Sequence, residues 1–207
     1  QDTKGQILCQ NGEPITAYYF STSAGRTSTD EIWGADRSAA YLKSVECDFD
    51  QNMPWSSWSV EIPWETLENR SGNLEGSGEF IGLQVIKKNI SGAVTGMEIV
   101  TENKSIQLEG EYEIRQFLSP AGCLITEKDG SIVNGSNLLP SAYFELNVKS
   151  GKAVQIQGKG YGHGVGMSQN GANEMAREGY GWQEILNYFF KDITLEMVGN
   201  NLSKRET

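Results

Sequence analysis

Five glycines stand at every second position from Gly158 to Gly166, in the stretch GKGYGHGVGMSQNGA (residues 158–172), and they surround the chain's single histidine, His163. What flanks this stretch constrains the fold. Upstream, KAVQIQGKG alternates with Val154 and Ile156 on one side, the period of a strand. Downstream the period becomes helical: Ala172, Met175 and Ala176 share a face, and Gly179 stands where that helix would stop. Trp182, Ile185, Leu186 and Phe189 then form a second apolar stripe at helical spacing, read as core. The order strand, glycine loop, helical pair places His163 at a strand end. It places Ser168 near a helix N-terminus, where backbone N–H groups are unpaired. Dense glycine serves either a tight turn or a bare surface on which a bulky ligand meets the main chain. A lone histidine likewise serves either as a hydrogen-bonded structural group or in chemistry. The stretch is no phosphate loop, because it lacks the Gly-Lys-Ser/Thr ending and its glycine spacing is not G-x-G-x-x-G.

The rest of the chain reads as mostly antiparallel strands. Residues 6–20 hold two strand-like runs around Asn11-Gly12, a strong hairpin signal. A Ser/Thr/Gly-rich loop follows over STSAGRTSTDEIWG. WSSWSVEIPWETLE (55–68) alternates and turns helical after Pro63; GEFIGLQVIKK and AVTGMEIVTE make a hairpin turning near Ser91-Gly92; KSIQLEG adds a strand. EYEIRQFL (111–118) is a short helix, and SAYFELNVK alternates with Phe144, Leu146 and Val148 on one face. The fold class is α+β, with a C-terminal helical pair. The chain divides into a first block over 1–47, an inserted α/β subdomain over 48–118 entered through DFDQNMPWSS, a C-terminal block over 119–198 and a tail over 199–207.

A length of 207 residues suits one good-sized domain. The net charge is −10 with no Lys/Arg cluster, which argues against nucleic acid and anionic membranes and favours a neutral or amphoteric partner such as a glycan. Cys9, Cys47 and Cys123 lie far apart without a C-x-x-C pair, so with one histidine they make a poor zinc set and are expected to be plain buried thiols. The opening QDTKGQILCQNG reads as the middle of a domain, so the chain is expected to be a fragment.

GKGYGHGVGMSQNGANEMAREGYGWQEILNYFF resembles the C-terminal signature of the stage II sporulation protein D family, which includes the amidase enhancers. TKGQILCQNGEPITAYYFSTSAGRTSTDEIWG resembles that family's central block, with its Ser-x-Ser-x-Gly-Lys/Arg-Thr loop and Trp-Gly. AAYLKSV, YEIRQFL and LPSAYFEL are similar to further family positions, in the expected order over nearly all of residues 1–198. The resemblance implies part of a peptidoglycan lytic transglycosylase working outside the cytoplasmic membrane. It implies anchoring through a segment not present here, beside a partner amidase and a membrane partner in engulfment, on strands stripped of stem peptides. A wall-glycan-binding module that enhances an amidase without cleaving is the alternative.

Cleavage of a MurNAc–GlcNAc bond to a 1,6-anhydro end needs one carboxyl that first protonates the leaving oxygen and then, as a base, takes the proton of the C6 hydroxyl. The family's catalytic glutamate, and its zinc site where present, belong to an upstream segment with no counterpart in residues 1–207, so the acid is expected to be absent and no cofactor is assigned. Glu31 and Glu46 flank the right loops but are read as solvated. The resemblance leaves Arg26 and His163 as supporting candidates, and Ser21, Thr22, Ser23, Gly25, Arg26, Tyr161, Gly162, His163, Ser168 and Gln169 as a substrate-binding wall. Each keeps a plainer alternative: turn stabilisation for the serines and Thr22, a helix cap for Ser168, packing for Tyr161, loop support for His163. Arg115 is read as the buried partner of a carboxylate. The Ser21–Arg26 and Gly160–Gln169 loops are expected to face one another across a cleft.

Overall fold

The computed structural model describes residues 3–34, 38–73, 76–149 and 151–198. Asn11 and Gly12, at φ 53° and 80°, turn strand β1 (Gln6–Gln10) into the short β2 (Glu13–Pro14), the turn that Asn-Gly favours. β3 (Tyr19–Phe20) precedes a long irregular stretch with a 3₁₀ turn at Asp30–Trp33. β4 (Trp58–Pro63) buries Trp58, Val60 and Ile62 at alternate positions, and Pro63 leads directly into helix α1 (Trp64–Gly72). β5 (Phe80–Lys88) and β6 (Val94–Thr101) form the expected hairpin about Gly92, β7 (Ser105–Glu109) joins β6, and α2 (Glu111–Phe117) follows. β8 (Leu124–Glu127) and β9 (Ile132–Asn134) make a small hairpin that no alternation in the sequence announces. β10 (Phe144–Lys149), β11 (Ala153–Gly158), the two-residue β12 (Met167–Ser168), helices α3 (Gln169–Arg177) and α4 (Trp182–Phe189), and β13 (Thr194–Met197) complete the described chain.

The strands assemble into an antiparallel five-stranded sheet in the order β10-β11-β4-β8-β9, a three-stranded sheet β5-β6-β7, a three-stranded sheet β13-β1-β2 and a parallel pair β12-β3. Two apolar cores result. The first gathers Trp58, Ile62, Leu67, Met97, Ile99, Ile114, Leu118, Val154 and Ile156. The second gathers Ile32, Leu42, Cys47, Tyr143, Val165, Met175, Phe189 and Phe190. Because β4 pairs with both β8 and β11, the segments 48–118 and 119–198 share the first core, so the boundary drawn at 118 falls inside it. The sequence pattern shows strands but not which strand pairs with which. The 199–207 tail lies outside the described residues.

Candidate functional site

The glycine loop is stitched to the segment before it. Ser21 N and Thr22 N both donate to the Tyr161 carbonyl at 3.2 Å, Tyr161 N donates to the Thr22 carbonyl at 2.8 Å, and Ser28 N donates to the Gly164 carbonyl at 2.6 Å. Met167 and Ser168 register against Tyr19 and Phe20 in the parallel pair. The two polar loops are therefore not opposite walls of a cleft, as the sequence suggested, but one hydrogen-bonded unit. This is where the glycines act. A Cβ on Gly164 would stand 2.7 Å from the Tyr143 hydroxyl, and one on Gly166 would overlap the Tyr18 carbonyl; both residues hold positive φ. The run permits close backbone approach inside the protein rather than a bare face for a ligand.

Beneath the joined loops lies Asp50, 1% exposed. One of its oxygens accepts from Ser23 Oγ at 2.6 Å, the other from Ser23 N at 2.7 Å and Ser168 Oγ at 2.5 Å. Ser168 Oγ also accepts from Gly171 N at 3.1 Å, which caps α3. Thr22 Oγ1 accepts from Asn170 Nδ2 at 2.9 Å. Thr22, Ser23 and Ser168 are all buried with their hydroxyls engaged, so they hold the loops together and are not placed to meet a glycan. The Cys47 thiol sits 3.9 Å from Asp50, and burial, with the Asp50 charge second, pushes it up to about 12.

His163 is half-buried among rings. Trp33 lies 5.1 Å away between centroids, Phe20 5.9 Å and Tyr18 6.4 Å, and Tyr18 in turn packs edge-on against Trp33 at 4.9 Å. His163 Nδ1 accepts from Val165 N at 3.1 Å, which puts the proton of the neutral ring on Nε2. Burial, followed by the positive charge of Arg115, lowers the imidazole below its ordinary value; the nearby Glu111 charge and a hydrogen bond with the Tyr19 backbone oppose this. The ring thus clasps the loop at Val165 and at Tyr19, a positioning role.

Two residues that the sequence reading did not assign complete this cluster. Trp33, 40% exposed, donates from Nε1 to Glu111 Oε1 at 3.3 Å. The other Glu111 oxygen pairs with Arg115 at 2.8 Å, and both members of that pair are buried. Arg115 donates further to the Leu139 and Pro140 carbonyls, which makes it the buried carboxylate partner expected of it. Glu111 and Arg115 are four apart, the spacing of neighbours on a helix face, and that signal was readable. The contact to Trp33, across 78 residues, was not.

The remaining candidates are more open. Arg26 reaches Glu46 at 2.9 Å and Ser44 Oγ at 3.4 Å on the surface, so its charge is matched there. Gly25 and Gln169 are exposed, Gly162 and Ser21 half-buried. Tyr161 stands partly exposed with its ring 4.6 Å from Trp55. Glu31 is exposed, accepts from Thr29 Oγ1 and borders, with Trp33, a cavity of about 250 Å³. None of Cys9, Cys47 and Cys123 is joined in a disulfide; the first two are buried and Cys123 is half-buried. Among the described residues no group of three or more His, Cys, Asp or Glu gathers in a way that could hold a metal ion, and no helix is long and apolar enough to cross a membrane.

Comparison with known proteins places this arrangement. The chain is 31% identical over 203 residues to stage II sporulation protein D of Bacillus subtilis (strain 168) and 30% identical over 202 residues to that of Bacillus amyloliquefaciens, covering 98% of this chain and 51% of each relative. It is 26% identical over 228 residues to the amidase enhancer of Bacillus subtilis (strain 168), covering 94% of this chain and 32% of that protein. The chain spans about half the length of the two sporulation proteins. Residues 44–166, from the surface strand pairing beside Arg26 through Glu111, Arg115 and His163, match one family model over more than half of the chain, and the protein belongs to the family described as a domain of unknown function, DUF8618.

Proposed function

We propose that this domain is the glycan-holding part of a peptidoglycan lytic transglycosylase that remodels the cell wall during sporulation, outside the cytoplasmic membrane and beside a partner amidase and a membrane partner. The observation that carries the reading is Trp33. Its indole is partly exposed, is fixed through Nε1 to a buried carboxylate and rests edge-on against Tyr18 and beside His163. A preset aromatic face is what a pyranose ring stacks on, because its axial C–H groups are apolar while its hydroxyls point sideways. Relatives named for stage II of sporulation and for amidase enhancement support the cellular setting.

In this reading the protein's share of the chemistry is orientation. A strand laid on Trp33 would present its scissile bond to a carboxylic acid supplied by the part of the protein beyond residues 1–207. His163 packs beside the indole, and Arg115 holds the Glu111 carboxylate that fixes it. Glu111 is not offered as the acid: Trp33 and Arg115 donors already occupy both its oxygens. That same observation favours the second reading, a module that binds wall glycan and stimulates an amidase without cleaving. The two separate in one experiment. Full-length protein is incubated with peptide-free glycan strands, and 1,6-anhydro ends are counted by mass spectrometry. Trp33→Ala is expected to reduce turnover on the order of tenfold, a loss of about 1.4 kcal/mol of transition-state stabilisation. Strand binding with amidase stimulation but no anhydro ends supports the second reading. Full turnover by folded Trp33→Ala overturns the role given to the platform.

A further inference from the structure

Beside Trp33, the cavity of about 250 Å³ opens between the Asp30–Trp33 turn and the sheet of β5, β6 and β7. Its lining includes Trp33, Glu31, Ile86, Lys87, Thr95 and Glu109. Three observations set it apart from an ordinary surface dent. The β5–β6 register shifts on both sides of Lys87, which pairs with Gly96. Such a bulge turns the consecutive residues Ile86 and Lys87, which a regular strand would send to opposite faces, towards the same cavity. Gly96 leaves the room: a Cβ there would stand 2.9 Å from Lys87 Cβ and 3.2 Å from Ile86 Cγ1.

The second observation is an orphan. Thr95 Oγ1 is, among the described residues, the one buried side-chain oxygen or nitrogen without a hydrogen-bond partner. Buried hydroxyls are nearly always satisfied, so an orphan at the edge of a cavity asks what satisfies it. The third is the mixture of chemistry. A fixed indole and an isoleucine side chain supply apolar surface, Lys87 supplies a cation with no side-chain partner among the described residues, and Glu31 and Glu109 supply acceptors. Two carboxylates against one ammonium argue against an anionic ligand.

We propose that this cavity is a subsite for one N-acetylated sugar residue, continuing a glycan strand past Trp33; the proposal rests on the glycan reading above. The assignment follows the ligand's own division of character. An acetamido group pairs an apolar methyl, suited to Ile86, with a carbonyl that Lys87 donates to. The ring hydroxyls donate to Glu31 and Glu109, and the Thr95 hydroxyl gains the partner it lacks. A glucose unit offers the hydroxyls but neither the methyl nor the carbonyl.

The test is calorimetric titration of the full-length protein with N-acetylglucosamine oligomers of three to five units, and with glucose oligomers of the same lengths. The N-acetyl series is expected to bind roughly tenfold tighter. Thr95→Val and Lys87→Met are each expected to weaken it roughly three- to tenfold, the range of one lost hydrogen bond. Melting temperature separates a ligand role from a structural one: Thr95→Val removes an unsatisfied group, so it should melt no lower than the wild type. Unchanged binding in both variants, with the wild type still binding strands, means that the cavity holds only water, and it overturns the subsite while leaving the glycan reading intact. Equal affinity for the two oligomer series overturns acetamido recognition. No binding of any strand by the wild type overturns the subsite and the glycan reading together.

Discussion

Asp50 holds the glycine loop from outside it. Its loop partners, Ser23 and Ser168, lie 27 and 118 residues away in sequence, and each of their atoms that meets it is a donor. Asp50→Ala leaves Ser23 N without its acceptor and turns the Ser23 and Ser168 hydroxyls onto their second acceptors, the Cys47 and Ser21 carbonyls; one buried unsatisfied donor is worth about 1–3 kcal/mol. Stability in urea is expected to fall by roughly 2–3 kcal/mol with an unchanged slope; a loss within experimental error would show that the carboxylate is not the hub. In the sequence Asp50 is one acid in a run that looked like an entry loop, because nothing local distinguishes a carboxylate that will be buried. His163 was conspicuous by contrast, yet its solitude among glycines said nothing about which atoms it would meet. Its imidazole is lowered by burial, so the folded state resists protonation that the unfolded chain accepts near its ordinary value of about 6.5. The His163 contribution to stability is therefore whole above that value and declines as pH falls below it towards the lower folded value. Melting temperature should drop between about pH 7 and pH 5.5, and His163→Gln should flatten that part of the profile. A wild-type profile already flat across this window would remove the clasp assigned to the ring.

Elements were more legible than contacts. The period-2 and helical patterns found β4, α1, the β5–β6 hairpin, α2, β11, α3 and α4 close to their observed bounds, since each carries its own apolar stripe and its own stop signal. β8 and β9 are four and three residues long, too short to show a period, and their pairing to β4 is what joins the two segments that the sequence divided. The glycine loop was found, with a tight turn and a bare ligand-facing surface as its alternatives. Positive φ was foreseeable from composition; that the freed space would be filled by Tyr143 and the Tyr18 carbonyl depends on long-range packing. The consequence is testable at Gly166. An alanine there takes a left-handed conformation costing about 1–2 kcal/mol and also meets backbone that cannot move aside, so Gly166→Ala should lose roughly 3 kcal/mol or more. Gly151→Ala, at a similar φ of 69° but with open space around it, should lose only the conformational part. Equal losses at the two sites would show that the loop glycines serve conformation alone.

At the scale of the whole molecule, the His163–Trp33 cluster is tied to both cores: His163 accepts from Val165 of the second, and Trp33 donates to Glu111 on α2, whose Ile114 belongs to the first. Such tethers preset the indole for binding, but catalysis needs a proton donor as well. Three carboxylates are engaged, Glu111 by Trp33 and Arg115, Glu46 by Arg26, and Asp50 by its serines beneath the loops, while Glu109 is exposed on β7 and lines the cavity beside Trp33. Glu31 is exposed and accepts from Thr29. Residues 1–207 alone are therefore expected to bind peptide-free strands and not to cleave them. General acid–base assistance typically supplies about 10²–10⁴ of a rate, so its loss would leave no products on the time scale of the intact protein. The measurement is mass spectrometry for 1,6-anhydro ends after incubation of the purified domain with such strands, with full-length protein as the positive control. Anhydro ends at a rate near that of the full-length protein would place the acid within this domain, and Glu31→Gln would then be the first substitution to make, because that carboxylate borders both Trp33 and the cavity beyond it.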